Sequence, residues 1–443
     1  MAEFQYLHKS EIYPLPIKDG YLVYAPLSSV VMSLSADEVS RLENYLSGTV
    51  DDSEAAELLA YIANERSNHR TILSKHSPEQ IHKLSILPTH QCNFNCGYCY
   101  SAEGRENKSL SMETAKAMID YFISKKRTSL SDLWLAILGG GEPFLTPQLT
   151  ARVIDYACRK AKVEGFNLGI GLTTNGSIYN EELAQCMIVN NVSLGVSFEV
   201  LKDIQEQQRC QYDKVVSVVQ RYMDKGVDIT IKSIITPSNV HRLSEMVNEL
   251  HRLFPKVHKY KLQIVEDAVM FANLQEMKQF YIDFTNCFFH AEEVGKRLNI
   301  DVYVLASKYV NVLVEHYCGG EMCLTPEGTI TICHRFSSER EKGYSQVVYG
   351  KVDDGGIVRI DNDRFKKLIS HDINAREICN HCFVKWHCGG GCLAQYSIYN
   401  DEQLAIICEW TKNFTKEILM RRLAAASGGE SMSRNVSDNA QKQ

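Results

Sequence analysis

The chain places three cysteines within the stretch HQCNFNCGYCYS. Cys92, Cys96 and Cys99 follow the spacing C-x3-C-x2-C, with Tyr98 directly before the last thiol. Cysteine thiolates bind zinc, form disulfides or hold iron–sulfur clusters. A structural zinc site takes four ligands, and no nearby Cys or His completes a usual zinc-finger spacing. On a four-iron cluster, three thiolates would leave one iron open to a ligand that is not protein.

A second cysteine zone lies near the carboxyl end of the chain. Cys318 and Cys333 stand in a C-x9-G-x4-C pattern around Gly328, and Cys323 lies between them. The stretch CNHCFVKWHCGGGC and one later thiol then add Cys379, Cys382, Cys388, Cys392 and Cys408. Clustered cysteines in a reducing compartment indicate metal ligands rather than disulfides. The scattered thiols are expected to be small buried hydrophobes: Cys158, Cys186, Cys210 and Cys287.

Composition describes a globular protein. The chain has 443 residues, of which 44% are hydrophobic and 23% charged, and this length predicts two to four domains. A net charge of −6 offers no basic field for nucleic acid. No apolar run approaches the roughly 18 residues of a membrane span. The first residues lack the apolar segment of a signal peptide, so the cytoplasm is the expected location.

Strand-like and helix-like segments alternate between residues 83 and 300. The strand-like runs are 83–89, 132–140, 167–175, 192–200, 228–237 and 259–266, and the helix-like runs are 111–126, 147–164, 180–190, 212–225, 239–254 and 274–298. Six such units predict an α/β fold with a parallel sheet, an open partial (β/α)6 barrel. Active sites of such sheets lie at the carboxyl ends of the strands. The three-cysteine stretch directly follows the first strand.

The flanking segments differ from this central part. Residues 1–82 predict a small α+β module, with a helix starting at Ser35 or Asp37 and stopping at Gly48. Residues 301–426 lose regular periodicity, and bound metal would fix such a segment. Residues 427–443 are polar and predicted to be disordered.

A glycine-rich turn, LGGGEP, ends the second strand. Glycine permits close approach of the backbone to a ligand, and Glu142 offers an acceptor for an ammonium group. By itself the stretch is also typical of an ordinary strand-to-helix turn.

Together these motifs resemble the radical S-adenosylmethionine superfamily, whose motif is C-x3-C-x-aromatic-C. The resemblance implies that Cys92, Cys96 and Cys99 hold a [4Fe–4S] cluster whose open iron binds the amino and carboxylate groups of S-adenosylmethionine. Its reductive cleavage then gives a 5′-deoxyadenosyl radical. The family also implies an electron donor such as flavodoxin or ferredoxin. Further cofactor-binding positions carried over from the family are Tyr98, Gly140, Gly141, Glu142, Ser197 and Arg209.

Two positions leave alternatives open. Many relatives carry an S-x-D-G run, where this chain has Glu199 and Val200, so a purely structural role suits Glu199 as well. A solvated surface charge is the alternative for Arg209.

The second zone is similar to the SPASM extension of this superfamily, with zinc binding as the alternative. The resemblance implies two auxiliary [4Fe–4S] clusters, three clusters in all. Cluster I would take Cys318, Cys333 and Cys392, with Cys323 either closing it or packing as a thiol. Cluster II would take Cys379, Cys382, Cys388 and Cys408.

Proteins of this type mostly modify peptides. The predicted function is therefore a maturase that crosslinks a ribosomally made precursor peptide through a thioether or carbon–carbon bond. Residues 1–82 resemble a leader-recognition element, which binds a leader as an added strand, with a generic cap as the alternative. Rival functions are formylglycine maturation of a sulfatase, peptide epimerisation, and a non-catalytic iron–sulfur or zinc scaffold. The sulfatase branch carries Asp after the second SPASM cysteine, where this chain has His334.

Overall fold

A computed structural model describes residues 11–66, 72–73, 77–316, 320–370, 373 and 376–427. Cys318 and almost all of the predicted disordered tail lie outside the described residues. No helix in the described part of the chain is long and apolar enough to span a bilayer.

The amino-terminal module begins with a three-stranded antiparallel sheet, β1 (Tyr13–Ile17), β2 (Gly20–Ala25) and β3 (Val30–Leu34). Helices α1 (Ala36–Leu46) and α2 (Ser53–Arg66) follow. Ser35 caps α1, because its hydroxyl accepts from the Glu38 amide while the Glu38 carboxylate accepts from the Ser35 amide. Gly48 lies just past the helix end at φ 75°, which glycine adopts without strain. The predicted start at Ser35 and stop at Gly48 agree with the structure.

The remaining elements alternate as the sequence indicates through the central region. The strands are β4 (Ile72–Leu73), β5 (Lys83–Ile86), β6 (Asp132–Ile137), β7 (Asn167–Thr174), β8 (Ser193–Ser197), β9 (Ile229–Ile235), β10 (Lys259–Ile264), β11 (Asp301–Tyr303), β12 (Leu313–Val314), β13 (Met322–Leu324), β14 (Thr329–Thr331), β15 (Val348–Val352) and β16 (Val358–Ile360). The helices are α3 (Met112–Phe122), α4 (Pro147–Glu164), α5 (Glu181–Val189), α6 (Lys202–Gln208), α7 (Tyr212–Lys225), α8 (Leu243–Leu253), α9 (Leu274–Arg297), α10 (Leu305–Tyr309), α11 (Tyr344–Val347), α12 (Asn362–Ile369), α13 (Lys385–Cys388), α14 (Leu393–Ile398) and α15 (Asp401–Ser427).

An α/β sheet forms the centre of the molecule, in the order β11-β10-β9-β8-β7-β6-β5-β13-β14-β15-β16. Strands β5 to β11 are parallel, and strands that follow one another in the chain are neighbours in the sheet. Side chains alternate between two faces of a strand. On β6, the alternate residues Leu133, Leu135 and Ile137 are buried in the main core. The predicted α/β class with a central parallel sheet is confirmed.

The segment after residue 300 is more regular than its sequence indicates. β13 joins the central sheet parallel to β5, with Cys323 opposite Ser85, and β14 to β16 extend the sheet as antiparallel strands. Most of these strands have only three residues, too few for a readable period of two. The last described element, α15, has 27 residues and carries Cys408.

The amino-terminal module packs on the second cysteine zone through buried polar contacts. Glu11, which is 3% exposed, pairs with Lys385 Nζ at 2.8 Å and accepts from Trp386 Nε1 at 2.6 Å. Tyr24 hydrogen-bonds His387. These contacts tie the module to the residues between Cys382 and Cys388.

Candidate active site

The three-cysteine loop leaves the carboxyl end of β5. Two turns shape it, because the Cys99 amide donates to the Cys96 carbonyl at 3.2 Å and the Ala102 amide to the Cys99 carbonyl at 3.2 Å. Burial raises the pKa of the Cys92 and Cys96 thiols, and the charge of Cys99 raises both further. The three predicted thiols therefore lie close enough in this loop for their charges to influence one another.

The spread of these thiols suits a cluster rather than a single ion. Among the described residues, some side chains form groups whose metal-ligating atoms all lie within 4.8 Å of one another, and the sulfurs of Cys92, Cys96 and Cys99 do not form such a group. A four-iron cube binds each thiolate through a different iron, so its ligands need not meet at one point.

The glycine-rich turn lies flat against the residue before Cys92. A Cβ on Gly141 would stand 2.0 Å from the Gln91 carbonyl oxygen, so only glycine fits there. The Glu142 amide donates to the same carbonyl at 2.7 Å. The backbone contact fixes Glu142 beside the cysteine loop.

Glu142 is a buried acceptor with capacity to spare. It is 2% exposed, and it accepts from Thr174 Oγ1 at 2.6 Å, from the Asn175 amide at 2.7 Å and from the Phe144 amide at 3.0 Å. Burial raises its pKa. A carboxylate has about four lone-pair positions, so one more donor can be accommodated. The free acceptor position of Glu142 fits the ammonium group of S-adenosylmethionine.

Tyr98, Glu199 and Arg209 form a buried network beside the loop. The Tyr98 hydroxyl donates to Glu199 and accepts from Arg209 Nη1 at 3.0 Å, while Arg209 lies 3.6 Å from Glu199. Glu199 also accepts from the Ile234 amide at 2.9 Å. Burial raises the pKa of Glu199 to about 7, although the Arg209 charge lowers it. Arg209 is 9% exposed, so the solvated-surface alternative for it is wrong.

The backbone around this network adopts unusual angles. Val200, at the position where the family motif has glycine, has φ 65°, and Cys210 and Gln211 have φ 86° and 57°. Such conformations in residues other than glycine cost about 1–3 kcal/mol each and gather at functional sites. Here they directly follow Glu199 and Arg209 in the chain.

Polar residues that the sequence interpretation did not single out also join the site. Asn175 donates to Asn93 in the cysteine loop at 2.8 Å, and Asn93 donates to Ser177 at 2.8 Å. The available signal was the TTNG stretch at the end of β7. Ser197 ends β8 and lies opposite Lys232 on β9, half-buried.

A second missed group surrounds Glu321, which is 6% exposed. Its carboxylate lies 2.7 Å from Lys83 Nζ, 2.6 Å from His334 Nδ1 and 2.7 Å from Ser85 Oγ. Although burial alone would raise it, Lys83 and His334 hold the pKa of Glu321 well below its usual range. Glu321, His334 and Cys333 converge within 4.8 Å. A carboxylate therefore stands next to His334.

The four thiols predicted for auxiliary cluster II influence one another electrostatically. Burial, followed by the charges of Cys408, Cys382 and Cys379, raises the pKa of Cys388 to about 12. Burial raises the pKa of Cys379 and Cys382, and the charge of Cys408 raises it further. The assignment of these four thiols to one cluster stays a prediction.

The ligands predicted for auxiliary cluster I are only partly described. Cys318 lies outside the described residues. Cys323 is fully buried in β13, and burial raises the pKa of its thiol well above the usual range. Cys333 and Cys392 are half-buried, the latter just before α14. The assignment of these residues to a cluster stays a prediction.

The predicted role of the scattered cysteines as packed residues agrees with their positions. Cys186 is buried, and Cys158, Cys210 and Cys287 are half-buried against the main core.

The site thus combines a parallel α/β sheet with a thiol triplet and a buried glycine–glutamate turn at the carboxyl ends of its strands. Residues 86–250 match the model of the Radical SAM superfamily. This part of the chain is therefore similar to radical SAM domains. Such a domain implies S-adenosylmethionine and one [4Fe–4S] cluster.

Curated relatives match at low identity. An uncharacterized protein of Methanocaldococcus jannaschii, MJ0907, is 28% identical over 38% of this chain and 57% of its own length. A cysteine-type anaerobic sulfatase-maturating enzyme of Clostridium novyi is 20% identical over 75% of this chain and 94% of that enzyme. The radical SAM cyclopropyl synthase TigE of Paramaledivibacter caminithermalis is 21% identical over 71% and 68%.

Solved structures share the fold. Native anSMEcpe with bound AdoMet has a TM-score of 0.61 at 16% identity, covering 79% of this chain and 100% of that one. SuiB of Streptococcus suis bound to precursor peptide SuiA has a TM-score of 0.50 at 14% identity, covering 89% and 97%.

Proposed function

We propose that the chain is a radical SAM/SPASM maturase that forms an intramolecular thioether or carbon–carbon crosslink in a ribosomally made precursor peptide. The observation that carries the proposal is the pair of separate thiol groups. Cys92, Cys96 and Cys99 lie beside a carboxylate with a spare acceptor position, while the group at Cys388 has four thiols of its own. The first arrangement suits a cluster with an open iron, and the second a fully ligated cluster.

The proposed cofactor contacts follow from this geometry. Cys92, Cys96 and Cys99 would hold the cluster, and Glu142 would bind the ammonium group of S-adenosylmethionine. Gly140 and Gly141 would let the backbone approach the cosubstrate, and Ser197, Arg209 and Tyr98 would contact the rest of it. When bound, cluster and cosubstrate supply a hydrogen-abstracting radical.

Electron counting explains the value of a fully ligated cluster. A crosslink breaks two bonds to hydrogen in the peptide and forms one new bond. One hydrogen leaves as an atom to the adenosyl carbon, and the other leaves as a proton and an electron. The proton passes to a base or to water, and the electron needs an oxidised acceptor. The four-thiol group Cys379, Cys382, Cys388 and Cys408 would hold that acceptor.

The mass of the treated peptide tests this function. With S-adenosylmethionine and dithionite under anaerobic conditions, we expect a peptide that loses a pair of hydrogen atoms, with one 5′-deoxyadenosine formed per crosslink. An unchanged mass with hydrogen exchanged from solvent would instead identify an epimerase. If no 5′-deoxyadenosine formed, the protein would be a non-catalytic scaffold rather than an enzyme. The reading frame beside the gene is the first place to look for the peptide.

Formylglycine maturation is the second candidate, favoured by the similarity to the Clostridium novyi sulfatase-maturating enzyme over 75% of the chain. Its product exchanges the cysteine sulfur for oxygen in addition to losing hydrogen, so the mass separates it from a crosslink. His334 stands where that branch carries Asp, and Glu321 Oε1 lies 2.6 Å from its Nδ1. The imidazole–carboxylate pair replaces the single carboxylate of the sulfatase branch.

A precursor peptide is the proposed partner, and the amino-terminal sheet offers one favourable edge for it. The edge strand β1 contains Pro14 and Pro16, which have no N–H to donate to an added strand. The opposite edge strand, β3, contains no proline. We therefore assign leader binding to β3, where main-chain hydrogen bonds would add a strand.

Proline in β3 tests this assignment. Val31→Pro removes one N–H from the edge, so leader-peptide affinity should fall at least tenfold, while 5′-deoxyadenosine formation without peptide stays intact. Fluorescence anisotropy of a labelled leader measures the affinity. Val31→Ala, which keeps the N–H, is the control for loss of the valine side chain. Equal losses in both variants, or none in Val31→Pro, would contradict binding at β3.

Iron analysis tests the auxiliary clusters. Three four-iron clusters predict about 12 iron per chain after anaerobic reconstitution. If Cys323 only packs in β13, Cys323→Ala should keep nearly all of it. If Cys323 closes cluster I, the variant should lose part of that cluster and change its electron paramagnetic resonance signal. About 4 iron per chain in the native protein would refute both auxiliary clusters.

A further inference from the structure

One face of the central sheet is polar, and it carries three lysines from three strands. In the sheet register, Lys232 on β9 lies opposite Lys261 on β10 and opposite Ser197 on β8. Residues opposite one another on neighbouring strands point to the same side. Ile231, Leu262 and Val196 alternate with these residues and are buried in the core. The lysines therefore project from the other face, on which Lys83 of β5 also lies.

The path of Lys232 is built into the neighbouring strands. Its Nζ donates to Thr173 Oγ1 on β7 at 2.9 Å, so the side chain crosses the whole of β8. A Cβ on Gly195 of β8 would lie 2.4 Å from Lys232 Nζ. The glycine leaves room for the lysine, which holds the ammonium group over the middle of the sheet.

Charge on this face is unbalanced. Lys83 has Glu321 at 2.7 Å, but no carboxylate of the described residues pairs with Lys232 or Lys261. Burial, then repulsion from Lys261 and Lys83, lowers the pKa of Lys232 to about 7. Burial, then Lys83, lowers the pKa of Lys261 to about 8. Enclosed cations are costly unless an anion accompanies them.

The side chains of Lys232 and Lys261 are nevertheless partly exposed to solvent. Lys232 lies opposite Ser197, which is in the proposed S-adenosylmethionine site, so the lysines stand beside the place where a peptide would react. An anion arriving there with the substrate would supply the missing partner.

We propose that Lys232 and Lys261 bind a carboxylate of the substrate, the side chain of an Asp or Glu near the modified residue. The inference rests on the proposed function, because it names the substrate class of that same site. The two lysines would then determine substrate specificity, because they would bind a peptide with an acidic residue at this position and not one with an amide or a basic residue. A chain-terminal carboxylate has the same chemistry and is distinguished below.

Three blocked amino acids serve as probes on the anaerobically reconstituted holoenzyme with S-adenosylmethionine bound. N-acetyl-aspartate amide carries a side-chain carboxylate, N-acetyl-asparagine amide is its neutral match, and N-acetyl-alanine carries a terminal carboxylate. A ligand that binds the folded state raises the thermal midpoint in proportion to ln(1 + [L]/Kd). We expect the aspartate probe alone to raise it.

Lys232→Met and Lys261→Met should each weaken aspartate-probe binding by at least about tenfold, since each removes one member of an enclosed charge pair. Without probe, neither variant should lower the thermal midpoint, because removing an uncompensated cation costs no stability. Lys259→Met is the matched control: it lies on the same strand, exposed and 3.5 Å from Asp228. Lys259→Met should bind the aspartate probe like the native chain.

Equal shifts with aspartate and asparagine probes, or native-like aspartate binding in the two variants, would overturn the proposal. If N-acetyl-alanine alone raised the thermal midpoint, the bound group would be a chain-terminal carboxylate rather than a side chain, and this result would also overturn the proposal. Loss of S-adenosylmethionine affinity in both variants would assign the lysines to the cosubstrate instead. Failure of the proposed function is a separate result, because peptide turnover would be absent while aspartate-probe binding persisted.

Discussion

Replacing Cys92, Cys96 and Cys99 together by alanine is expected to abolish 5′-deoxyadenosine formation, by at least about a thousandfold. The reason is that these thiols are the only attachment proposed for the cluster with the open iron. The auxiliary thiols lie elsewhere in the chain, so about 8 of about 12 iron per chain should remain. Iron analysis and chromatography of the dithionite reaction measure both quantities.

A matched triple variant separates loss of ligands from loss of packing. Cys158, Cys186 and Cys287 also pack against the main core, and nothing in the proposal gives them iron. Their joint replacement by alanine should leave cleavage and iron content near the native values. If the loop variant still made 5′-deoxyadenosine, the thiol triplet would not be the reactive site.

The second large effect is an asymmetry between the two charges of the Tyr98–Glu199–Arg209 network. Glu199→Gln should destabilise the protein, because the buried Arg209 guanidinium, which cannot lose its proton, is left without its carboxylate partner. Arg209→Met should cost less, since burial already raises the pKa of Glu199 to about 7 and the carboxyl can become neutral. Thermal midpoints of the anaerobic holoproteins should therefore fall most for Glu199→Gln.

The double variant and an exposed pair complete this test. Adding Arg209→Met to Glu199→Gln should restore part of the lost midpoint, because no unpaired cation remains. Asp213→Asn, which removes the partner of exposed Lys202, should change stability by less than about 1 kcal/mol. Equal losses for Glu199→Gln and Arg209→Met would refute the charge argument. Arg209→Met should also weaken S-adenosylmethionine binding, because Tyr98 loses the hydrogen bond that Arg209 donates to it.

The burial of Arg209 and Glu199 bears on the alternatives that the sequence left open for these two residues. The sequence left Arg209 between a surface charge and a site residue, and its exposed fraction of 9% excludes the first. Glu199 departs from the family motif, yet it contacts Tyr98, Arg209 and the Ile234 amide. None of these partners lies within one helical turn of Glu199 in the chain. No local pattern could have revealed the network.

The sequence by itself determined the features that depend on near neighbours. Long periodic segments specified α4 (Pro147–Glu164) and α7 (Tyr212–Lys225) to the residue, because each repeats its buried positions over several turns. The spacing of Cys92, Cys96 and Cys99 lies in one loop and was readable for the same reason. Short strands such as β13 carry too few residues to show a period, so the segment after residue 300 was wrongly expected to be irregular.

Only the tertiary structure decided what lies side by side across the sheet. The insertion of β13 next to β5 sets Glu321 against Lys83, and the register of β8, β9 and β10 sets Lys232 beside Lys261. The packing of Glu11 on Lys385 likewise joins opposite ends of the chain. These contacts depend on the order of the strands in the sheet, which joins segments that lie far apart in the chain, so no local pattern reveals them.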